Sequence, residues 1–128
     1  MNFDDLDYLA EDVLVVGTQH YKDACTKFYN AIVAANEAGV LEDEIGIRLQ
    51  REPDNLHDSY AVKVFGKLIA DDGGRKSAQV GFLHRSMAFK VGENTEEEDK
   101  LYGEFVSIEP HVEYGFDIRI NVLVKYAY

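Results

Sequence analysis

The sequence predicts a mainly β (α+β) fold: a small antiparallel barrel of the SH3-like or OB-like kind, with about six strands, one inserted helix and one short helix. Several short stretches alternate apolar and polar residues with period two, and most are joined by turn residues. One stretch has helical periodicity. No internal repeat or long linker divides the 128 residues, so we expect a single domain over residues 1–128.

Period-two alternation is clearest in residues 44–51 and residues 116–126. In the first stretch, Ile45, Ile47 and Leu49 alternate with polar residues or glycine, as in a strand with one buried face. In the second, apolar residues occupy every other position from Phe116 onward. Further strands are predicted at residues 13–18, 61–65, 78–83 and 102–109, and Pro110 is expected to end the last.

Residues 22–38 change to the period of a helix. One apolar stripe contains Ala24, Phe28, Ala31, Ile32 and Ala35. Asp23 is the expected N-cap and Gly39 the expected C-terminal stop. This inserted helix is expected to pack across one end of the barrel. A second, short helix is predicted at residues 85–91.

The formal net charge of −11 is unevenly distributed. Residues 1–12, expected to form an acidic N-terminal arm or a helical turn, carry five acids and no base. Residues 93–128 carry nine acids and three bases, whereas residues 13–92 carry ten of each. A chain without a basic excess is not expected to bind duplex DNA tightly and without regard to sequence. Recognition of a nucleic-acid end through a few contacts is compatible with this charge.

Composition predicts a cytoplasmic protein. The sequence has no apolar run of about 18 residues that would span a membrane, and its first residues lack the basic and apolar regions of a signal peptide. A single cysteine, Cys25, allows no disulfide within the chain, as expected for a reducing compartment.

The stretch at residues 51–66 is the least generic part of the chain. Pro53 ends the preceding strand, and Asp54, Asn55 and Asp58 are residues that close turns. The sequence REPDN at 51–55, followed by Asp58 and by AVKV at 61–64, resembles the central signature of the HIRAN domain, the N-terminal module of helicase-like transcription factor. VVGTQHY at 15–21 and VGFLHRSMA at 80–88 resemble two flanking motifs of that family.

The resemblance implies a pocket for the 3′ end of single-stranded DNA, without catalysis or a cofactor. It also implies a role in DNA repair or replication-fork processing beside a partner helicase or nuclease. Transferred position by position, the family's nucleic-acid-binding residues are Gln19, His20, Tyr21, Asn55, His57, Asp58, Phe82 and Arg85. Tyr21 would stack on a base or sugar, Asn55 and Asp58 would bond the terminal nucleotide, and Arg85 would meet phosphate. Gln19 stands where an arginine is expected, which removes one phosphate contact.

Each of these residues also has a structural interpretation. Short polar residues such as Asn55 and Asp58 usually bond their own backbone in a turn, and both roles can coexist. Tyr21 and Phe82 are equally explained as packed core residues. The acidic cluster at residues 96–99 is expected to be a solvated loop, with a DNA-mimicking surface as the alternative. The alternative function is therefore an acidic protein-interaction module that does not bind nucleic acid.

No metal site or catalytic residue is predicted. Four histidines and Cys25 lack the spacing of a zinc signature, so surface or turn histidines are the favoured interpretation. The chain has no nucleophile-elbow motif and no phosphate loop. A magnesium site formed by Glu52, Asp54 and Asp58 is a weaker alternative, because acids are common in turns.

Overall fold

The computed structural model describes residues 5–39, 45–69, 74–111, 113 and 115–127. Its strands are β1 (Asp7–Leu14), β2 (Gly46–Arg51), β3 (Val62–Ile69), β4 (Arg75–Phe82), β5 (Lys100–His111) and β6 (Gly115–Lys125). Its helices are α1 (Lys22–Ala38), α2 (Arg85–Asn94) and a short 3-10 helix, Thr18–His20. The prediction of a mainly β fold with six antiparallel strands and two α-helices is confirmed.

The six strands form one sheet in the order β1-β6-β5-β2-β3-β4, with every neighbouring pair antiparallel. β2 and β5 are paired only at Ile47 and Gly103, so the sheet is narrowly joined at its centre. A Cβ on Gly103 would lie 2.3 Å from Cγ2 of Ile47, so only glycine permits this approach. A bridge between Val16 and Phe82 joins the segment after β1 to β4, which gives the sheet its barrel-like curvature.

The core lies between the inner face of the sheet and α1. On β6, four alternating apolar residues are fully buried: Ile118, Ile120, Val122 and Val124. Phe28 of α1 is fully buried above Gly66 of β3, and its ring meets that of Phe105 of β5 edge-on at 5.7 Å. The alternation predicted for residues 116–126 is therefore confirmed except at Leu123, which lies outside the alternating set and is also fully buried. The inward direction of Ile45, Ile47 and Leu49 is confirmed as well.

The helix α1 begins and ends where its periodicity predicts. Gly39 closes it in the left-handed conformation, with φ 67°, which confirms the predicted stop. The predicted N-cap is wrong: Tyr21 occupies that position, and Asp23 lies in the first turn. Cys25 faces the sheet, fully buried near the carbonyls of Thr18 and Val80. Burial raises the pKa of this thiol to about 11.

The strand predicted at residues 13–18 is shifted toward the N-terminus. β1 starts at Asp7, so part of the expected acidic arm is an edge strand paired with β6. Two register shifts interrupt this pairing, and Asp12 adopts φ 53°. Because of these irregularities, the sequence of β1 does not show a regular alternation of apolar and polar residues. Asn121 accepts a hydrogen bond from the amide of Asp12 at 2.8 Å, which fixes the irregular stretch.

Further element boundaries differ from the predictions: β3 continues to Ile69 and β4 starts at Arg75, so both are longer than the strands predicted at residues 61–65 and 78–83. Pro110 does not end β5, which continues to His111. Among the described strands, this part of β5 pairs only with β6, so proline breaks no ladder on the other edge. The second helix, α2, runs to Asn94, three residues beyond its predicted end. No helix in the described ranges is long and apolar enough to cross a membrane.

Candidate functional site

The segment after β1 brings Tyr21 against the end of β4. Gly17 adopts φ 78°, a conformation that suits glycine, and the chain then turns through the 3-10 helix into α1. Val16 and Phe82 exchange two backbone hydrogen bonds of 2.9 Å. The rings of Tyr21 and Phe82 consequently meet edge-on, with 6.3 Å between their centroids. We call these two partly exposed rings the ring pair.

The 3-10 helix is anchored by Thr18, which sequence reasoning missed. Thr18 is buried, and its hydroxyl donates to the carbonyl of Phe116 at 2.8 Å. Its neighbours Gln19 and His20 are exposed. Thr18 therefore fixes the turn from which these two candidate residues project, immediately before Tyr21.

The loop at residues 52–61 is held by its own polar side chains. Oδ1 of Asn55 accepts from the amides of His57 and Asp58 at 2.9 and 3.0 Å. Oδ1 of Asp58 accepts from the amide of Tyr60 at 3.0 Å. The expected turn role of Asn55 and Asp58 is therefore confirmed. His57 lies exposed between them.

This turn role engages only half of each side chain. Within the described ranges, Nδ2 of Asn55 and Oδ2 of Asp58 have no hydrogen-bond partner, and both residues are partly exposed. One amide donor and one carboxylate acceptor thus remain available to a ligand. The loop backbone holds both groups in place.

The loop and the ring pair lie on either side of the end of β4. Phe82 is bonded to Val16 on one side, and the next amide, that of Leu83, donates to the carbonyl of Val62 at 3.0 Å on the other. The loop enters β3 at this point. Across the described residues, no hydrogen bond or ring contact links the two groups directly.

Arg85 follows the same strand end. It is the first residue of α2 and is exposed. The preceding His84 is the N-cap of that helix, and its Nδ1 accepts from the amide of Ser86 at 3.1 Å. The eight candidate residues therefore form three groups at one end of β4: the 19–21 turn, the loop, and Phe82 with Arg85.

The described residues contain no cluster of three or more histidine, cysteine or acidic side chains able to hold a metal ion. His84 caps a helix, and Nδ1 of His111 accepts from the amide of Glu113 at 3.2 Å. Glu52 at the start of the loop forms an ion pair with Lys63 at 3.2 Å. The candidate residues therefore offer single hydrogen-bonding groups, aromatic rings and the charge of Arg85.

Arg51, the first residue of the signature, has a structural role that the sequence does not reveal. Its guanidinium donates to Oγ1 of Thr95 and to the carbonyls of Glu96 and Asp99, at 3.0 to 3.1 Å. Because the group is partly buried, its pKa is lowered. Arg51 therefore ties the end of β2 to the segment that precedes β5.

Asp99 completes this connection and corrects the prediction of a solvated acidic loop. Glu96, Glu97 and Glu98 are exposed, but Asp99 is buried. Its carboxylate accepts from the amides of Glu96 and Ala127 at 2.8 and 2.9 Å. These backbone bonds, followed by the charge of Arg51, lower the pKa of Asp99. The segment therefore joins β2, β5 and the chain beyond β6.

A cleft of about 920 Å³ lies where β2 and β5 separate. Arg48 and Gln50 of β2 line one wall, and Lys100, Tyr102 and Glu104 of β5 line the other. No sequence motif points to this cleft, because it results from the single pair that joins the two strands.

Comparison of the chain with protein-family models, with curated proteins and with solved structures gives no match. Membership of the HIRAN family stays a prediction, based on the motifs at residues 15–21, 51–64 and 80–88.

Proposed function

We propose that this chain is a non-catalytic module that binds single-stranded DNA at a free 3′ end. The observation that carries the proposal is that two kinds of ligand group flank the end of β4. The ring pair lies on one side, and the loop with Asn55 and Asp58 lies on the other.

The available atoms suit a sugar terminus. Oδ2 of Asp58 can accept from a 3′ hydroxyl but repels a 3′ phosphate, since both groups are negatively charged. Nδ2 of Asn55 can donate to a sugar or base oxygen. Tyr21 and Phe82 offer ring surface for a base, an interaction that contributes about 1–3 kcal/mol per base. Arg85, exposed at the start of α2 and three residues after Phe82, supplies a positive charge.

The same proposal places the module in the cytoplasm, beside a helicase or nuclease that acts on damaged or stalled DNA. The buried, protonated thiol of Cys25 is compatible with a reducing compartment. The partner is part of the proposal because the resemblance to the HIRAN domain implies a helicase or nuclease beside this module.

Titration of labelled oligonucleotides tests the proposal. We expect a free 3′ hydroxyl to bind more tightly than a 3′ phosphate or a blunt duplex end. Asp58→Asn keeps Oδ1 for the amide of Tyr60 and removes the charge, so it should weaken binding of the 3′ hydroxyl about tenfold. Asp54→Asn, in the same loop and exposed, should change affinity less than about twofold.

Absence of binding to all three oligonucleotides at ~100 μM would contradict the proposal, since even non-specific binding is usually tighter. Equal binding of the hydroxyl and the phosphate would contradict the assigned role of Asp58. The first result would favour the alternative, an acidic protein-interaction module, which the net charge of −11 supports.

A further inference from the structure

Strands β2, β3 and β4 carry no acidic residue, although the whole chain has a net charge of −11. Their basic residues are Arg48, Arg51, Lys63, Lys67, Arg75 and Lys76. Charge on this part of the sheet is therefore opposite in sign to that of the molecule. A local basic surface is the electrostatic signature of a site for a polyanion.

Strand register shows which of these side chains share a face. Directly paired residues project from the same side of a sheet. Three rows cross the outer side: Gln50, Lys63 and Phe82 in the first, Arg48, Phe65 and Gln79 in the second, and Gly46, Lys67 and Ser77 in the third. We call this surface the basic face.

Arg48 and Phe65 form a stacked unit at the middle of the basic face. The guanidinium carbon of Arg48 lies 4.1 Å from the centre of the Phe65 ring. Arg48 also donates to Gln50 at 3.0 Å and to Ser77 at 3.3 Å, so its plane is held against the ring. Phe65 itself is only partly buried. This unit offers both a positive charge and a flat surface.

The cations of the basic face differ in their partners. Lys63 is paired with Glu52 at 3.2 Å, and Arg51 points away into its contacts with residues 95–99. Arg48 and Lys67 have no acidic partner within the described ranges. Two cations on adjacent rows, roughly 7 Å apart along the strands, therefore remain for an external anion.

We propose that the basic face binds the nucleotides that precede the 3′ terminus of a DNA strand, with phosphates at Arg48 and Lys67 and a base on the Arg48–Phe65 stack. This inference rests on the proposed function, because Phe82 belongs both to the ring pair and to the first row of the face. A DNA strand whose 3′ end lies beside Phe82 thereby continues across the surface of β3 and β2.

Acidic residues of the neighbouring cleft limit the path of the strand. On the side of the cleft formed by β5 and the segment before it, Glu97, Glu98 and Glu104 outnumber the one base, Lys100. Glu104 is held there by the hydroxyl of Tyr8 and by Asn121. A polyanion is repelled from that wall and stays on β2 to β4. The alternation of charge and aromatic surface favours a nucleic-acid strand over an acidic peptide.

A length series separates this inference from the proposed function. Oligonucleotides with a free 3′ hydroxyl and lengths of about 3 and about 8 nucleotides are titrated at two salt concentrations. We expect the longer one to bind about tenfold more tightly and with a steeper salt dependence. Lys67→Gln should lower the affinity for the longer oligonucleotide about three- to tenfold. It should also reduce the slope of log affinity against log salt concentration by about 0.7. The affinity for the short oligonucleotide should not change.

Two variants complete the test. Phe65→Leu keeps an apolar side chain and removes the ring, so it should lower the affinity for the longer oligonucleotide about fivefold. Lys125→Gln removes one charge from the opposite half of the sheet and should leave both affinities within about twofold. Because Lys125→Gln removes the same charge as Lys67→Gln, it measures how much of any change in affinity comes from overall charge.

Three results would overturn the inference. Equal affinities of the two lengths, or equal losses in Lys67→Gln and Lys125→Gln, would show that the basic face does not bind the strand, even if the short oligonucleotide binds. Displacement of the longer oligonucleotide by polyglutamate at equal charge would show that an acidic peptide is the occupant. Failure of the short oligonucleotide alone would contradict the proposed function instead.

Discussion

The half of the sheet formed by β2, β3 and β4 differs in charge from the half formed by β1, β6 and β5. The first has basic residues and no acid. The second carries six acids and three bases: Asp7, Glu11, Asp12, Glu104, Glu109 and Asp117, with Lys100, Arg119 and Lys125. Net charge describes neither half of the sheet, because the strand order places most acids in one half and most bases in the other. Binding has to be judged from each half separately.

The two halves meet through few elements. They share the backbone pair of Ile47 and Gly103, the contacts of Phe28, and the Arg51–Asp99 connection, and at the outer edges the bridge between Val16 and Phe82. Four predictions test how these elements hold the halves together and how far the halves differ.

The largest effect is expected for Phe28→Ala. Phe28 is fully buried and contacts β3 at Gly66 and β5 at Phe105, one strand from each half. Its loss should reduce the free energy of unfolding by about 3–5 kcal/mol, as measured by urea denaturation. Phe89→Ala is the matched control, since Phe89 is 53% exposed and should cost about 1 kcal/mol. Equal costs would show that Phe28 does not support the core.

Arg51→Ala is expected to have the next largest effect. It removes three hydrogen bonds between β2 and residues 95–99, and should reduce the free energy of unfolding by about 2 kcal/mol, or the melting temperature by about 8 °C. Arg119→Ala is the control, because its ion pair with Asp12 and its hydrogen bond to the carbonyl of Asp12 are exposed and together should contribute less than about 1 kcal/mol. A small effect at Arg51 would mean that the connection does not stabilise the fold.

The same connection predicts a dependence of stability on pH. The folded pKa of Asp99 is lowered, so its contribution is fully present above the unfolded value, about 3.9, and is lost as pH falls through the folded value. Asp99→Asn should reduce stability at pH 7 and flatten its decline below pH ~4, measured by thermal unfolding across pH. Glu98→Gln, at an exposed neighbouring residue, should give the same curve of stability against pH as the unmodified protein.

The smallest effect concerns the charge difference itself. Gln50→Glu adds an acid to the basic face near Arg48, and should weaken binding of the longer oligonucleotide about threefold. Glu109→Gln, at an exposed position of the acidic half, should change it less than about 1.5-fold. Similar changes for both variants would show that overall charge, and not the face, controls affinity.

Local patterns made much of the fold predictable. The periodicity of residues 22–38 gave both ends of α1, and the alternation from Phe116 gave the buried face of β6. The strand predicted at residues 13–18 covers only the last two residues of β1, because register shifts between residues 8 and 13 break the alternation. The prediction that Pro110 ends β5 is wrong, because a sequence does not reveal which strand edge is left unpaired.

The candidate site was only partly predictable for a related reason. Asn55 and Asp58 bond amides two or three residues away, so their turn role follows from local chemistry. Arg51 and Asp99 are 48 residues apart and meet only because β2 pairs with β5. The sequence does not reveal the basic face, because residues 13–92 contain ten acids and ten bases. The acids of this stretch all lie outside β2, β3 and β4.

Cys25 gives the molecule an internal reporter of its own motion. A thiolate reacts with alkylating reagents, but the sulfur of Cys25 is buried between α1 and the sheet and stays protonated near neutral pH. Modification of native protein must therefore await a fluctuation that lifts the helix from the sheet. The rate of labelling at this one atom measures how often that fluctuation occurs, without any engineered probe.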